Sequence, residues 1–185
     1  MLASLIDLDR QLSDAVRELR WEPLVAVFTA LSWWWVKVLP FLAAGIWHDV
    51  KQRTRPPVVT AGAVLVAYTV ANLLTTVAKD AVDRIRAEAA QAAVELPTSP
   101  SFPSGHASGA FASAVVIALL VPRLRAPALI LATLVALSRV YLGVHFPLDV
   151  TVGALLGAAV AALTVLIVKR AGGVRRRPSA HPAPR

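Results

Sequence analysis

Three groups of polar residues combine types that can bind or move a phosphoryl group. Lys79 and Arg86 are seven residues apart, nearly two helical turns, so both cations can project from one side of a helix. Taken alone, such a pair is better read as anchoring a helix end. Pro103-Ser104-Gly105-His106 stands immediately before an apolar run. A helix start there offers unpaired backbone N–H groups, Gly105 permits close approach and Ser104 adds a hydroxyl, which together make a phosphate cradle. A plain Ser-Gly helix cap is the competing reading. Ser138-Arg139, His145 and Asp149 form the third group. His145 and Asp149 are four apart, so the carboxylate can hold one imidazole nitrogen and leave the other free to react. The planar fork of Arg139 suits phosphate oxygens, although a snorkelling arginine at a helix end would look the same.

The elements that must position these groups are apolar helices. The chain has 185 residues, 57% of them hydrophobic, which is too apolar for an ordinary soluble domain. It has no cysteine, so neither a disulfide framework nor a thiolate metal site is available. Its net charge of +8 lies at the ends of apolar runs and in the C-terminal tail rather than on one face, which fits a membrane surface and argues against a nucleic-acid partner. No cleavable signal peptide is evident, because the first strongly apolar stretch begins only near Leu24 with no clear small-residue cleavage site behind it.

Leu5, Leu8, Leu12, Val16 and Leu19 alternate with charges at helical spacing, which predicts an amphipathic interfacial helix within residues 1–22. Pro23 to Trp47 is apolar except for Lys37 and reads as one crossing with an interfacial lead-in, Trp33 to Trp35 serving as its anchor. Two short helices meeting near Lys37 are the alternative, since a single centred crossing would bury that cation. Val58 to Ala78 is the clearest crossing, and Ala107 to Val121, Ala126 to Tyr141 and Leu148 to Val168 follow, with Pro147 placed to open the last helix. Gly153 and Gly157 have the spacing of a close helix contact. In the connector from Lys79 to Phe102, the Ala-rich stretch Ala87 to Val94 can be helical, and the prolines beyond it argue for irregular backbone. Asp80 and Asp83 read as helix-surface partners of Arg84 and Lys79. The expected architecture is an all-α polytopic membrane bundle over residues 23–170, with five transmembrane helices, or six if the segment splits at Lys37. A basic, disordered tail is expected over 171–185.

Orientation follows from the cations. Lys51, Arg53 and Arg55, then Arg123 and Arg125, then the run from Lys169 to Arg177 fall on one side if crossings alternate, and short loops rich in Lys and Arg stay cytoplasmic. The connectors 79–102 and 143–147 then meet on the extracytoplasmic face. With five crossings the N-terminal helix lies outside too.

Together, Lys79-x6-Arg86, Pro103-Ser104-Gly105-His106 and Ser138-Arg139-x5-His145-x3-Asp149 closely resemble the three-part signature of the type-2 phosphatidic acid phosphatase superfamily, over roughly residues 60 to 165. One position departs from it: Ala87 stands where the family usually has proline. The resemblance implies a lipid phosphatase in which His145 is the nucleophile, Asp149 orients it and His106 protonates the leaving oxygen. It further implies that Lys79, Arg86, Ser104, Gly105 and Arg139 bind the phosphoryl oxygens. Fixed cations and helix-end amides can stabilise phosphoryl transfer without a metal, so neither metal nor cofactor is expected. The expected partners are the bilayer and a lipid phosphate, with polyprenyl (pyro)phosphate favoured over phosphatidylglycerol phosphate or phosphatidate. A non-catalytic lipid-binding scaffold is the rival; Ala87 is its one hint, and intact His106, His145 and Asp149 speak against it. A small-solute permease would need polar groups along the midplane rather than at one face. His48, His181, Asn72, Thr75 and Thr76 fall outside the pattern.

Overall fold

The computed structural model describes residues 2–53, 58–86 and 92–174. Among these residues there is no strand. The chain forms helices α1 (Leu2–Glu18), α2 (Glu22–Leu31), α3 (Leu39–Lys51), α4 (Val59–Val82), α5 (Gly105–Leu120), α6 (Arg125–Tyr141) and α7 (Pro147–Val174), with a 3-10 turn at Pro122–Leu124. Residues 171–174 thus continue α7, and the remainder of the expected tail, including His181, lies outside the described residues. So does Ala87 with most of the Ala-rich stretch; Ala92, Ala93 and Val94 are not helical.

Helix α5 is the axis of the bundle, packed by α4, α6 and α7. Its buried positions are mostly Ala, Gly and Ser from Ala107 to Ala114. Lipid gives helices no hydrophobic reason to associate, so close backbone approach and dispersion must hold them, and small side chains permit that approach. The spacing of Gly153 and Gly157 serves the same contact. A Cβ on either would collide with backbone of α5, at Ser104 and at Ser108.

Among the described residues three helical segments are long and apolar enough to cross a membrane: Val59–Val82, Pro122–Tyr141 and Pro147–Ala171. Helix α5 is apolar and has 16 residues, about 24 Å at about 1.5 Å per residue. The stretch read as a single crossing from Pro23 to Trp47 is instead two helices, α2 and α3, separated at Ser32–Val38. The break surrounds buried Lys37, whose ammonium lies 5.6 Å from the Tyr68 ring centroid. The two short helices still make one end-to-end pass. Helix α2 begins beside Tyr141 at the C-terminal end of α6, where Trp21 N donates to the Tyr141 hydroxyl at 2.7 Å. Helix α3 ends where fully buried Asp49 accepts from Thr60 N at 2.7 Å and from the Thr60 hydroxyl at 2.6 Å. Asp49 therefore caps α4 from outside its own helix, satisfying amides that would be orphaned at a buried end. Nothing in local sequence pattern had marked that role.

Helix α1 is amphipathic as its periodicity predicts, and packing decides which face points where. Asp9 and Ser13 face the bundle and are buried, whereas Ile6, Leu8, Leu12 and Leu19 are exposed. The exposed surface carries Asp7, Arg10 and Asp14 as well as these apolar side chains, a mixture that suits the membrane interface, where headgroup meets acyl chain. Asp9 contacts the start of α7, so α1 sits at the same end of the bundle as the three polar motifs.

Candidate active site

Four helix ends and two connectors bring their polar residues together at one end of the bundle. Ser104 N donates to the Asp149 carbonyl at 2.9 Å, joining the start of α5 to the start of α7. Ala93 N donates to the Leu142 carbonyl at 2.9 Å, so the connectors before α5 and before α7 meet as expected. The turn after α6 is folded back on Arg139, whose carbonyl accepts from Val144 N at 3.1 Å and from His145 N at 3.2 Å. Gly143 takes the positive φ of 73° that this reversal requires.

That turn aims His145. Its Nδ1 lies 3.4 Å from Asp149 Oδ2, an ion-pair separation longer than a formed hydrogen bond, and its Nε2 lies 3.4 Å from Arg86 Nη1. One nitrogen thus faces a carboxylate and the other faces a cation. Burial holds the His145 pKa down to about 4; Asp149 works against that shift, and Arg86 and Arg139 add to it. The imidazole is therefore neutral at physiological pH, with Nε2 available as an electron-pair donor.

Arg86 also donates to the Val144, Ser99 and Pro100 carbonyls, and Lys79 to the Pro100 carbonyl. Burial lowers the Arg86 pKa and Asp149 offsets part of that. Arg139 is 6% exposed, with no hydrogen-bond partner on Nε among the described residues, and it interacts electrostatically with both His106 and His145. Ser104 is the N-cap of α5, its hydroxyl accepting from Ala107 N at 3.4 Å, so the capping reading of that residue holds. Gly105 has room beside it, since a Cβ there would meet only ordinary contacts with Thr75 and Asn72. His106 Nε2 is 2.9 Å from the Ser32 carbonyl. The eight sequence-derived candidates therefore occupy one end of the bundle, spread over α4, α5, α6, α7 and the two connectors. Asn72, Thr75 and Thr76 bond carbonyls of their own helix, as packing groups do.

A family model for the PAP2 superfamily matches residues 60–172. The chain belongs to this superfamily. It is 38% identical over 132 residues to a decaprenylphosphoryl-5-phosphoribose phosphatase of Mycobacterium tuberculosis, covering 68% of this chain and 67% of that protein. It is 47% identical over 72 residues to an undecaprenyl-diphosphatase of Sulfolobus acidocaldarius, 38% of this chain and 35% of that one. Its fold superposes on the crystal structure of a transmembrane PAP2-type phosphatidylglycerolphosphate phosphatase from Bacillus subtilis. There the TM-score is 0.73 at 26% identity, covering 90% of this chain and 87% of that chain. As a PAP2 member, the chain is a membrane lipid phosphatase.

Within this PAP2 site, three residues went unmarked by the motifs. Ser32 contacts His106 from the break after α2. Arg84, expected to pair with Asp80 on the helix surface, instead bridges Asp149 and Asp9, because the chain leaves the helix at Asp83, whose φ is 46°. The acceptor found for Lys79 is the Pro100 carbonyl rather than Asp83. Arg84 offered a faint signal as a third cation between Lys79 and Arg86; Ser32 and Asp9 offered none.

Proposed function

We propose that the protein removes a phosphoryl group from a polyprenyl phosphate or diphosphate at the extracytoplasmic membrane surface, through a phosphohistidine on His145. The observation that carries this reading is the two-sided environment of His145, with Asp149 at Nδ1 and Arg86 at Nε2. In the first step Nε2 attacks phosphorus, the bond to the leaving oxygen breaks, and His106 supplies that oxygen's proton. Lys79, Arg86 and Arg139 balance charge on the equatorial oxygens as it develops, with amides at the start of α5 beside them. Asp149 stabilises the imidazole as it becomes cationic. In the second step water attacks phosphorus, the P–N bond breaks, and His106 takes up the water's proton. No group in this sequence needs a metal, because protein cations already hold the charge.

The passes between the two bundle ends support five crossings, α2 and α3 sharing one, with α1 on the outer surface. Basic clusters at the opposite end support an outward-facing site. A polyprenyl substrate is favoured because two relatives named for polyprenyl-linked substrates match the sequence. Phosphatidylglycerol phosphate is the second reading, on the likeness to the Bacillus subtilis structure. Purified protein assayed for phosphate release from undecaprenyl phosphate, undecaprenyl diphosphate, phosphatidylglycerol phosphate and phosphatidate should turn over the polyprenyl substrates with the highest kcat/KM. Preference for a glycerolipid would replace the favoured substrate by the second reading, and release from none would reject the activity.

A further inference from the structure

Only one oxygen of Asp149 faces His145. The other, Oδ1, accepts from Arg84 Nη1 at 2.6 Å, while Arg84 Nη2 donates to Asp9 Oδ2 at 2.7 Å. One guanidinium therefore bridges a carboxylate of α7 and a carboxylate of α1. Asp9 Oδ1 accepts from Leu148 N at 2.7 Å, and Asp149 Oδ2 accepts from Phe146 N at 3.0 Å. Arg84 also lies 4.4 Å from the Phe146 ring centroid. All four carboxylate oxygens have donors or cations directed at them, and both acids are buried, Asp9 at 5% exposure and Asp149 at 0%. Both terminal nitrogens of Arg84 are committed to carboxylates, which leaves it poorly placed to bind phosphate.

We infer that Asp9 and Arg84 are positioning residues for the reaction. They fix the Asp149 carboxylate and set how much of its charge acts on His145, so that docking of amphipathic helix α1 completes the site. This rests on the proposed role of His145. Several charges surround that imidazole: Asp149 from α7, Arg86 from the connector, Arg139 from α6 and His106 from α5. Asp149 is in turn faced by Arg84, Arg86 and Lys79. Of the groups around His145, Asp149 favours protonation, and Arg84 neutralises part of Asp149. Removing Arg84 releases the full carboxylate charge onto His145 and frees the carboxylate to rotate. Removing the charge of Asp9 does the opposite to the first effect, since Arg84 then acts on Asp149 alone.

The test compares Arg84→Gln, Asp9→Asn and the double variant with wild type, by pH profiles of kcat/KM on a polyprenyl phosphate. Arg84→Gln should lower kcat by about ten-fold or more and move the acidic limb up by about half a pH unit or more. Asp9→Asn should lose less activity with no upward shift, and the double variant should be no slower than Arg84→Gln, because both act through one carboxylate. Arg84→Lys, which keeps the charge but cannot span both acids, should keep the wild-type limb at a reduced kcat; this separates positioning from a failure to fold. An active wild type with an unmoved limb in Arg84→Gln, or with losses that multiply in the double variant, would overturn this inference alone. A wild type inert toward every lipid phosphate would overturn the proposed activity as well.

Discussion

The carbonyl oxygen of Ser32 lies 2.9 Å from Nε2 of His106. A carbonyl can only accept, so Nε2 must carry the hydrogen, and the nitrogen left to exchange protons with a substrate is Nδ1. The break between α2 and α3 thus does more than surround buried Lys37: it leaves a carbonyl at the end of α2 that holds the Nε2 hydrogen of His106, so the proposed acid can give a proton only from an Nδ1 that has first taken one up.

The proposed mechanism divides the labour between the two histidines. His145→Ala should abolish hydrolysis of both lipid phosphates and p-nitrophenyl phosphate, since no phosphoenzyme can form. His106→Ala should cost about a hundred-fold or more on a lipid substrate yet spare much of the activity on p-nitrophenyl phosphate, whose leaving group needs little protonation. Trapping of acid-labile phosphate on His145→Ala protein but not on His106→Ala protein would exchange the two roles.

With His145 as the proposed nucleophile, the acidic limb of the pH profile reports its free imidazole. Burial holds the His145 pKa near 4, so protonation removes the attacking lone pair only below the ordinary imidazole range. The kcat/KM profile of the wild type should therefore stay level on descending from pH 7 through 6 and fall at more acid pH. A fall centred at pH 6.5 or above would mean that His145 is not held neutral by its surroundings.

In the proposed mechanism Lys79, Arg86 and Arg139 stabilise the developing charge, which leaves no step for a divalent ion. Activity should survive EDTA and be inhibited by vanadate, which can mimic the pentacoordinate phosphoryl group. Loss of activity in EDTA with recovery on adding magnesium would contradict the mechanism.

Exposed Thr98 and Arg125 lie at opposite ends of the bundle. In intact cells an impermeant thiol reagent should label Thr98→Cys and not Arg125→Cys; the reverse pattern would invert the proposed orientation.

The α5–α7 contact should be the least tolerant of added volume. Gly157→Val would push a side chain into the Ser108 carbonyl, whereas a Cβ at Gly62 meets nothing within 4 Å. Gly157→Val should destabilise by about 2 kcal/mol or more, and Gly62→Ala should be neutral or slightly stabilising. Thermal unfolding in detergent, read as retention of the monodisperse peak, distinguishes them.

Much of the protein was legible in sequence because the relevant physics is local. Apolar runs end at prolines and cations, so the starts of α4 to α7 could be placed to within two residues, although α4 and α7 run four and six residues past their expected ends. Residue type and spacing drew attention to three polar groups, and it was their joint resemblance to the family signature that singled out Lys79, Arg86, Ser104, Gly105, His106, Arg139, His145 and Asp149. What remained hidden depends on contacts between segments far apart in the chain. Periodicity showed that α1 is amphipathic, but only docking turned Asp9 inward, because a partly buried guanidinium needs a carboxylate and a local pattern cannot say which one. The left-handed turn at Asp83 carried Arg84 away from Asp80 and into that gap. Lys37 offered two short helices as the alternative to a single one; packing decided between them and placed the Ser32 carbonyl on His106. Hydrophobic periodicity reports where a helix lies against lipid or protein; the pairing of buried charges and orphaned carbonyls is decided by which distant partner tertiary packing brings within about 3 Å.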